Sequence, residues 1–250
     1  MIIRLEQLID QLYDQTNINH NNSKYEHLGK LRVLIIRSVV PGIFCAGADL
    51  KERFTMSTSE VTQFVSKLQA LSSRIYHFPT PTIAAIDGVA LGGGLEYALA
   101  ADLRVASANA KLGLVETKLA IIPGAGGTQY LSRLLPVNIA KELIFTGRII
   151  DGTNDAAAMI QYGLVNSVVE QNAQGDAAYQ RALQLAEEIL TSGPIALRAA
   201  KLAINAGTQV DLASGLIIEG CCYQQVINTK DRLEGLAAFR EKRKPEYTGE

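Results

Sequence analysis

No stretch of eighteen consecutive apolar residues occurs in this 250-residue chain, so no segment is long enough to cross a bilayer as a helix. Charge of neither sign is in excess: 24 lysines and arginines face 25 aspartates and glutamates, a formal net charge of −1. Composition therefore implies neither a polyanion such as nucleic acid nor a membrane as partner. Cysteines are few. Cys45, Cys221 and Cys222 form no C-x-x-C pair, and neighbours in sequence rarely bridge each other, so they read as buried, reduced thiols. The three histidines, His20, His27 and His77, fit no metal-ligand spacing and read as loop or helix-end residues, so no metal is expected. The opening MIIRLEQLID lacks a basic start, a long apolar run and a small-residue cleavage site, so it is not a secretory signal, and no transit peptide is visible. Also missing are a Walker loop, a G-x-G-x-x-G dinucleotide fingerprint with its downstream acid, and a G-x-S-x-G elbow. No fixed-period repeat or low-complexity tract appears.

What remains, 48% apolar and 20% charged, suits one substantial core, or one core plus a small helical appendage. Leu5, Leu8, Ile9 and Leu12 recur at helical spacing, and the polar tract TNINHNNSKYEH after them reads as a loop. LRVLIIRS (31–38), TIAAIDG (82–88) and LRVASANA (103–110) read as strands. Ser57 and Glu60 form a capping box ahead of Val61, Phe64, Val65, Leu68, Leu71 and Ile75, which predicts a helix from about Ser59 to His77, stopped by Pro79. KLGLVETKLAIIPGAGG reads as loop with two short strands. Beyond it the pattern predicts helices over 128–135, 139–145, 155–162, 176–191, 194–206, 211–227 and 231–243, with one strand at 164–169. The expected fold class is α/β, with a core over 1–190 and a helical region over 191–250.

The stretch ALGGGLE carries the chemistry. TIAAIDG runs straight into Gly92-Gly93-Gly94, and a helix starting near Leu95 leaves backbone N–H groups exposed at its positive end. Removing side chains there lets a ligand oxygen come close, so the site suits a phosphate or an oxyanion; the alternative reading is close packing of helix on strand. Glu96 lies in the first turn of that helix. Twenty positions later Glu116 stands in an otherwise apolar stretch before Pro123-Gly124. Two carboxylates converging on an apolar pocket would have their pKa values pushed apart, one suited to removing a proton and one to delivering it. A second glycine turn, Cys45-Ala46-Gly47-Ala48-Asp49, could supply another backbone donor, and two donors from separate turns make an oxyanion hole.

FCAGADLKE, AAIDGVALGGGLEYALAADLRVA and KLGLVETKLAIIPGAGGTQ, followed by AKELIFTGR, GLVNSVV and DRLEGLAAFREKRKPEY, together resemble the signature of the enoyl-CoA hydratase/isomerase, or crotonase, family across roughly Leu31 to Tyr247. The resemblance implies a spiral of ββα turns followed by C-terminal helices, and a hydro-lyase acting on a 2-enoyl-CoA with no cofactor beyond that acyl-CoA substrate. It implies that Ala48 and Gly93 hold the thioester oxygen, that Glu96 and Glu116 are the acid/base pair, and that Gly124 helps place the water. Ala46, Asp49, Leu50 and Lys51 would line the CoA path, while Phe239 and Lys242 would reach a neighbouring subunit's CoA in a homotrimer or dimer of trimers. A mitochondrial matrix location is implied as well.

Two departures stand out. The family's usual opening strand pair, with its N-R-P-x-x-x-N-A-L type segment near the CoA adenine, has no counterpart here, and Tyr130 stands where an arginine is usual. One relative that binds RNA is associated with lysines along its first helix; LEQLIDQLYDQ carries acids and glutamines instead, which reads as a solvated face. Three readings compete: an enoyl-CoA hydratase, an enoyl-CoA isomerase, which can run on one carboxylate, and an RNA-binding or scaffold homologue with impaired catalysis.

Overall fold

The first six strands alternate between two sheets, and this alternation brings the two glycine turns into one region. The computed structural model describes residues 31–250 together with Leu8, Ile9, Gln11 and Leu12. The strands are β1 (Leu34–Ile36), β2 (Ile43–Cys45), β3 (Thr82–Ile86), β4 (Val89–Leu91), β5 (Leu103–Ser107), β6 (Lys111–Gly113), β7 (Ile150–Asp151) and β8 (Ser167–Val169). One four-stranded sheet runs β1-β3-β5-β8 and the other β2-β4-β6-β7. The pairs β3–β5, β5–β8, β2–β4 and β4–β6 are parallel, and β6–β7 is antiparallel. Parallel strands covered on both faces need continuous apolar runs. TIAAI of β3 is such a run, with all five residues buried.

From Leu50 onward the described residues form ten α-helices: α1 (Leu50–Thr55), α2 (Thr58–Tyr76), α3 (Gly93–Ala100), α4 (Gly127–Leu134), α5 (Val137–Thr146), α6 (Gly152–Gln161), α7 (Ala177–Leu190), α8 (Pro194–Gly207), α9 (Leu212–Ile227) and α10 (Lys230–Glu241), with a 3₁₀ turn at Glu116–Leu119. One compact unit includes Ile35–His77 and Thr82–Gln184; a second includes Phe78–Pro81 and Leu185–Glu250. In the second, α8 and α9 form a helical pair, and the C-terminal segment is tied to α10 where Asp231 accepts from the Thr248 and Gly249 N–H groups at 2.7 and 2.9 Å.

The capping box forms as the spacing predicts: the Ser57 N–H donates to Glu60 at 2.7 Å, and the Glu60 N–H to the Ser57 hydroxyl at 3.4 Å. His77 ends α2, its ring Nδ1 2.8 Å from the Ser73 carbonyl. Leu8, Ile9 and Leu12 are helical; Leu5, the polar tract and His20 and His27 lie outside the described residues.

Several expectations change. TIAAIDG does not run straight into the glycines: Asp87-Gly88 breaks the chain, and β4 belongs to the other sheet. A Cβ on Gly88 would lie 2.1 Å from the Gly42 backbone, so the break is a close crossing. Asp87 instead caps α7, accepting from the Ala178 and Tyr179 N–H groups at 2.8 and 3.1 Å. LRVLIIRS contributes only three strand residues, and KLGLVETKLAIIPGAGG forms one short strand, not two. Cys221 is exposed and Cys45 half-buried, so only Cys222 is the buried thiol expected. Neighbours on a helix point about 100° apart, and on α9 that turn puts Cys222 inward and Cys221 outward.

The helix of the glycine cluster begins earlier than expected, at Gly93. Gly92 caps it at φ 53°, ψ −130°, a conformation costly for any side chain. A Cβ on Gly94 would fall 2.0 Å from the Cys45 carbonyl oxygen, so α3 lies directly on β2. At the other end of α3, buried Arg104 donates to the carbonyls of Ala101 at 2.7 Å and Leu164 at 2.8 Å. Burial pulls its pKa down to about 10, which leaves it charged at the negative helix end.

Gly94→Ala should therefore destabilise the fold by roughly 1 to 3 kcal/mol or more, the usual range for overpacking. In thermal denaturation that appears as a fall of several degrees. An unchanged melting temperature would contradict the contact.

Candidate active site

The first unit contains a cavity of ≈190 Å³ whose lining joins both glycine turns to both acids: Ala46, Ala48, Gly93, Glu96, Glu116 and Gly124 all border it. Leu50 borders it too, whereas Asp49 and Lys51 do not. The Asp49 carboxylate is occupied in capping α1, accepting from the Lys51 N–H at 2.8 Å. Phe239 and Lys242 belong to the second unit, where Phe239 is 87% exposed and Lys242 ends α10 in a left-handed conformation.

Each of the three glycines has its own task. Gly94 admits β2, and Gly92 makes the turn, leaving 3.3 Å between a notional Cβ and Glu116 Oε1. Gly93, the first helical residue, has open space on its cavity side, with Glu96 Oε2 at 3.8 Å as the nearest atom to a notional Cβ. Neither the Gly93 N–H nor the Ala48 N–H donates to another group among the described residues. Both readings of the cluster, close packing and an open donor, therefore hold at different glycines.

Glu96 is 2% exposed, and one oxygen, Oε1, accepts from the N–H groups of Ala125 (2.8 Å) and Gly127 (2.7 Å). These two amides lie in the PGAGG turn that leads into α4, a support that the sequence marks only as a turn. Burial pushes the Glu96 pKa up to about 7; the Gly127 amide opposes this, Glu116 adds to it, and the Ala125 amide again opposes it. Glu116 opens the 3₁₀ turn and is 9% exposed. Burial raises its pKa as well, and its buried Oε2 has no hydrogen-bond partner among the described residues. Two acids that resist ionisation, one anchored and one with an unused oxygen, can exchange protons with a molecule held between them.

The remaining wall is apolar. Phe64, Val65 and Leu68 of α2 face the cavity together with Ile121 and Ile122. Helical spacing identifies these α2 residues as apolar, but it does not distinguish a core from a cavity wall. Arg53 also reaches the lining, from a helix without a single buried residue, and no periodic signal points to it. Tyr130 stacks on Tyr76 with ring centroids 5.5 Å apart. Among the described residues no group of three His, Cys, Asp or Glu could hold a metal ion, and no helix is long and apolar enough to cross a membrane.

A sequence profile described as enoyl-CoA hydratase/isomerase matches residues 15–250. The chain is 63% identical over 221 residues to the human protein named methylglutaconyl-CoA hydratase, mitochondrial; the match takes in 88% of this chain and 64% of that one. It is 61% identical over 220 residues to the human enoyl-CoA hydratase domain-containing protein 2, mitochondrial, covering 88% of this chain and 74% of the other. An enoyl-CoA hydratase from Bacillus anthracis superposes with a TM-score of 0.87 at 46% identity, over 100% of this chain and 88% of that one. The alternating two-sheet spiral is thus the crotonase fold.

The raised pKa of Glu96 has a stability consequence of definite sign. Above about pH 7 the folded protein holds a buried carboxylate that the unfolded chain ionises freely from 4.5 upward. The cost therefore grows between pH 4.5 and 7 and is absent below. Glu96→Gln keeps an acceptor for the two amides and removes that cost. At pH 8 it should be more stable than the parent by up to about 3 kcal/mol, with the gain fading toward pH 4.5. Denaturant unfolding across pH measures this; a variant no more stable at pH 8 would contradict it.

Proposed function

The chain belongs to the enoyl-CoA hydratase/isomerase family, and we propose that it adds water across the double bond of a 2-enoyl-CoA thioester, either 3-methylglutaconyl-CoA or a short-chain enoyl-CoA. The observation that carries this reading is the convergence of Ala48, Gly93, Glu96 and Glu116 on one desolvated cavity. The thioester oxygen accepts from the Ala48 and Gly93 N–H groups, which stabilise the negative charge it gains as the enolate forms. Losing one such donor typically costs roughly 10² to 10³ in rate. The Gly124 N–H donates to the oxygen of the attacking water.

Glu96, near half-ionised at pH 7, accepts a proton from that water as its oxygen bonds to the β-carbon. Glu116, which burial keeps protonated more readily than a free carboxylate, delivers a proton to the α-carbon, and the enolate returns to a thioester. The overall change is one water added, with no electron transferred and no cofactor required. Isomerisation needs one acid; the presence of a desolvated pair favours hydration.

On this reading Ala46 and Leu50 flank the pantetheine arm, and Asp49 and Lys51 act at its solvent end. Phe239 and Lys242 serve a neighbouring subunit's CoA in a homotrimer or dimer of trimers. The exposed Leu212, Leu216, Ile217, Leu233, Leu236 and Phe239 supply the C-terminal helical region over 191–250 with apolar surface for such contacts. The mitochondrial names of the relatives support the same compartment here.

Glu116→Gln and Glu96→Gln should each lower crotonyl-CoA hydration by at least about 10²-fold while substrate binding, followed by calorimetry, persists. Undiminished turnover in either variant would overturn the two-acid mechanism. Sedimentation should give three or six chains per particle; a monomer would remove the shared CoA site.

A further inference from the structure

Among the residues lining the cavity, the one cation is Arg53. Its guanidinium carbon lies 4.8 Å from the centroid of the Phe64 ring, and among the described residues it makes no side-chain hydrogen bond or ion pair. Arginine presents five N–H donors in a planar fork that matches a carboxylate. Here the fork is held at the wall of an apolar cavity by ring contact alone, with its donors unused.

The position of Arg53 along the cavity decides which part of a substrate it meets. Phe64 is adjacent to Val65, and a Cβ on Gly124 would lie 3.3 Å from Val65 Cγ1. Gly124 is the residue assigned to the attacking water, so the Phe64–Val65 wall borders the β-carbon and whatever extends beyond it. A chain ending there in a methyl group needs no cation. A chain ending in a carboxylate brings a further negative charge beside two buried acids, and an unpaired charge in such surroundings is strongly disfavoured. Arg53 is the group in the lining able to offset it.

We propose that Arg53 is a specificity-determining residue that pairs with a carboxylate at the far end of the acyl chain, directing the site toward enoyl-CoA monothioesters of dicarboxylic acids. This rests on the hydratase reading and deepens it. Phosphate groups of CoA are the other anions an arginine could meet, but every acyl-CoA carries them equally. Two substrates that differ only at the acyl terminus therefore separate the two sources.

The probes are glutaconyl-CoA, which ends in a carboxylate, and crotonyl-CoA, which lacks it. The parent protein should show the higher kcat/KM on glutaconyl-CoA. Arg53→Met should lower kcat/KM on glutaconyl-CoA by roughly 10- to 100-fold, the range for a charge-assisted pair, and leave crotonyl-CoA within about threefold. Arg53→Lys should restore part of the loss, because it keeps the charge without the fork. An equal fall on both substrates would assign Arg53 to CoA phosphate and overturn the proposal, as would an unchanged ratio of the two. If the parent hydrates neither substrate, the hydratase reading itself fails, an outcome distinct from loss of the preference. Equal melting temperatures for parent and variants would show that altered kinetics do not reflect misfolding.

Discussion

The contact between the Gly94 Cα and the Cys45 carbonyl is the constraint from which the rest of the cavity follows. It leaves no room for a side-chain atom, so α3 sits directly on β2. Gly93 precedes that contact by one residue on one side, and Ala48 follows it by three on the other. Two amides from turns 45 residues apart in sequence are thereby brought to the border of a single cavity. Parallel pairing of β2 with β4, with one register shift between Ile43 and Cys45, holds the same two segments side by side.

Glu96 is placed by the same helix. Its carboxylate accepts two backbone N–H groups and still titrates near 7, so loss of water outweighs the hydrogen bonds. A group held in this way is unfavourable for stability above neutral pH and useful for proton transfer near it. Glu116 faces the same environment with an oxygen left unpartnered among the described residues, a cost that a fold does not ordinarily accept in its interior. On the proposed mechanism that oxygen is the one that works on substrate.

Much of this was legible in the sequence because backbone chemistry leaves marks in residue type. Glycines ahead of an acid signal an open helix start, and an isolated acid in KLGLVETKLAIIPG signals burial; Glu96 and Glu116 do share a cavity. The capping box at Ser57 and the long C-terminal helices were readable from periodicity. The three-residue strands β2 and β4 were not, since alternation needs more residues to show than they contain, and of the two short strands expected in KLGLVETKLAIIPGAGG only β6 forms. The helix α1 buries nothing, so no apolar face announces it or its Arg53. Nor does a row of identical glycines reveal that one packs, one turns and one leaves its amide open. Those differences lie in distances to segments remote in sequence, as does the anchoring of Glu96 by Ala125 and Gly127.

The central claim is that the Ala48 and Gly93 amides polarise one thioester oxygen. Isotope-edited infrared spectroscopy of an enoyl-CoA labelled at its thioester carbonyl, bound to an inactive Glu96→Gln, Glu116→Gln double variant, measures that directly. The account predicts a carbonyl stretch shifted to lower frequency on binding. A bound substrate whose carbonyl absorbs as it does in water would contradict it.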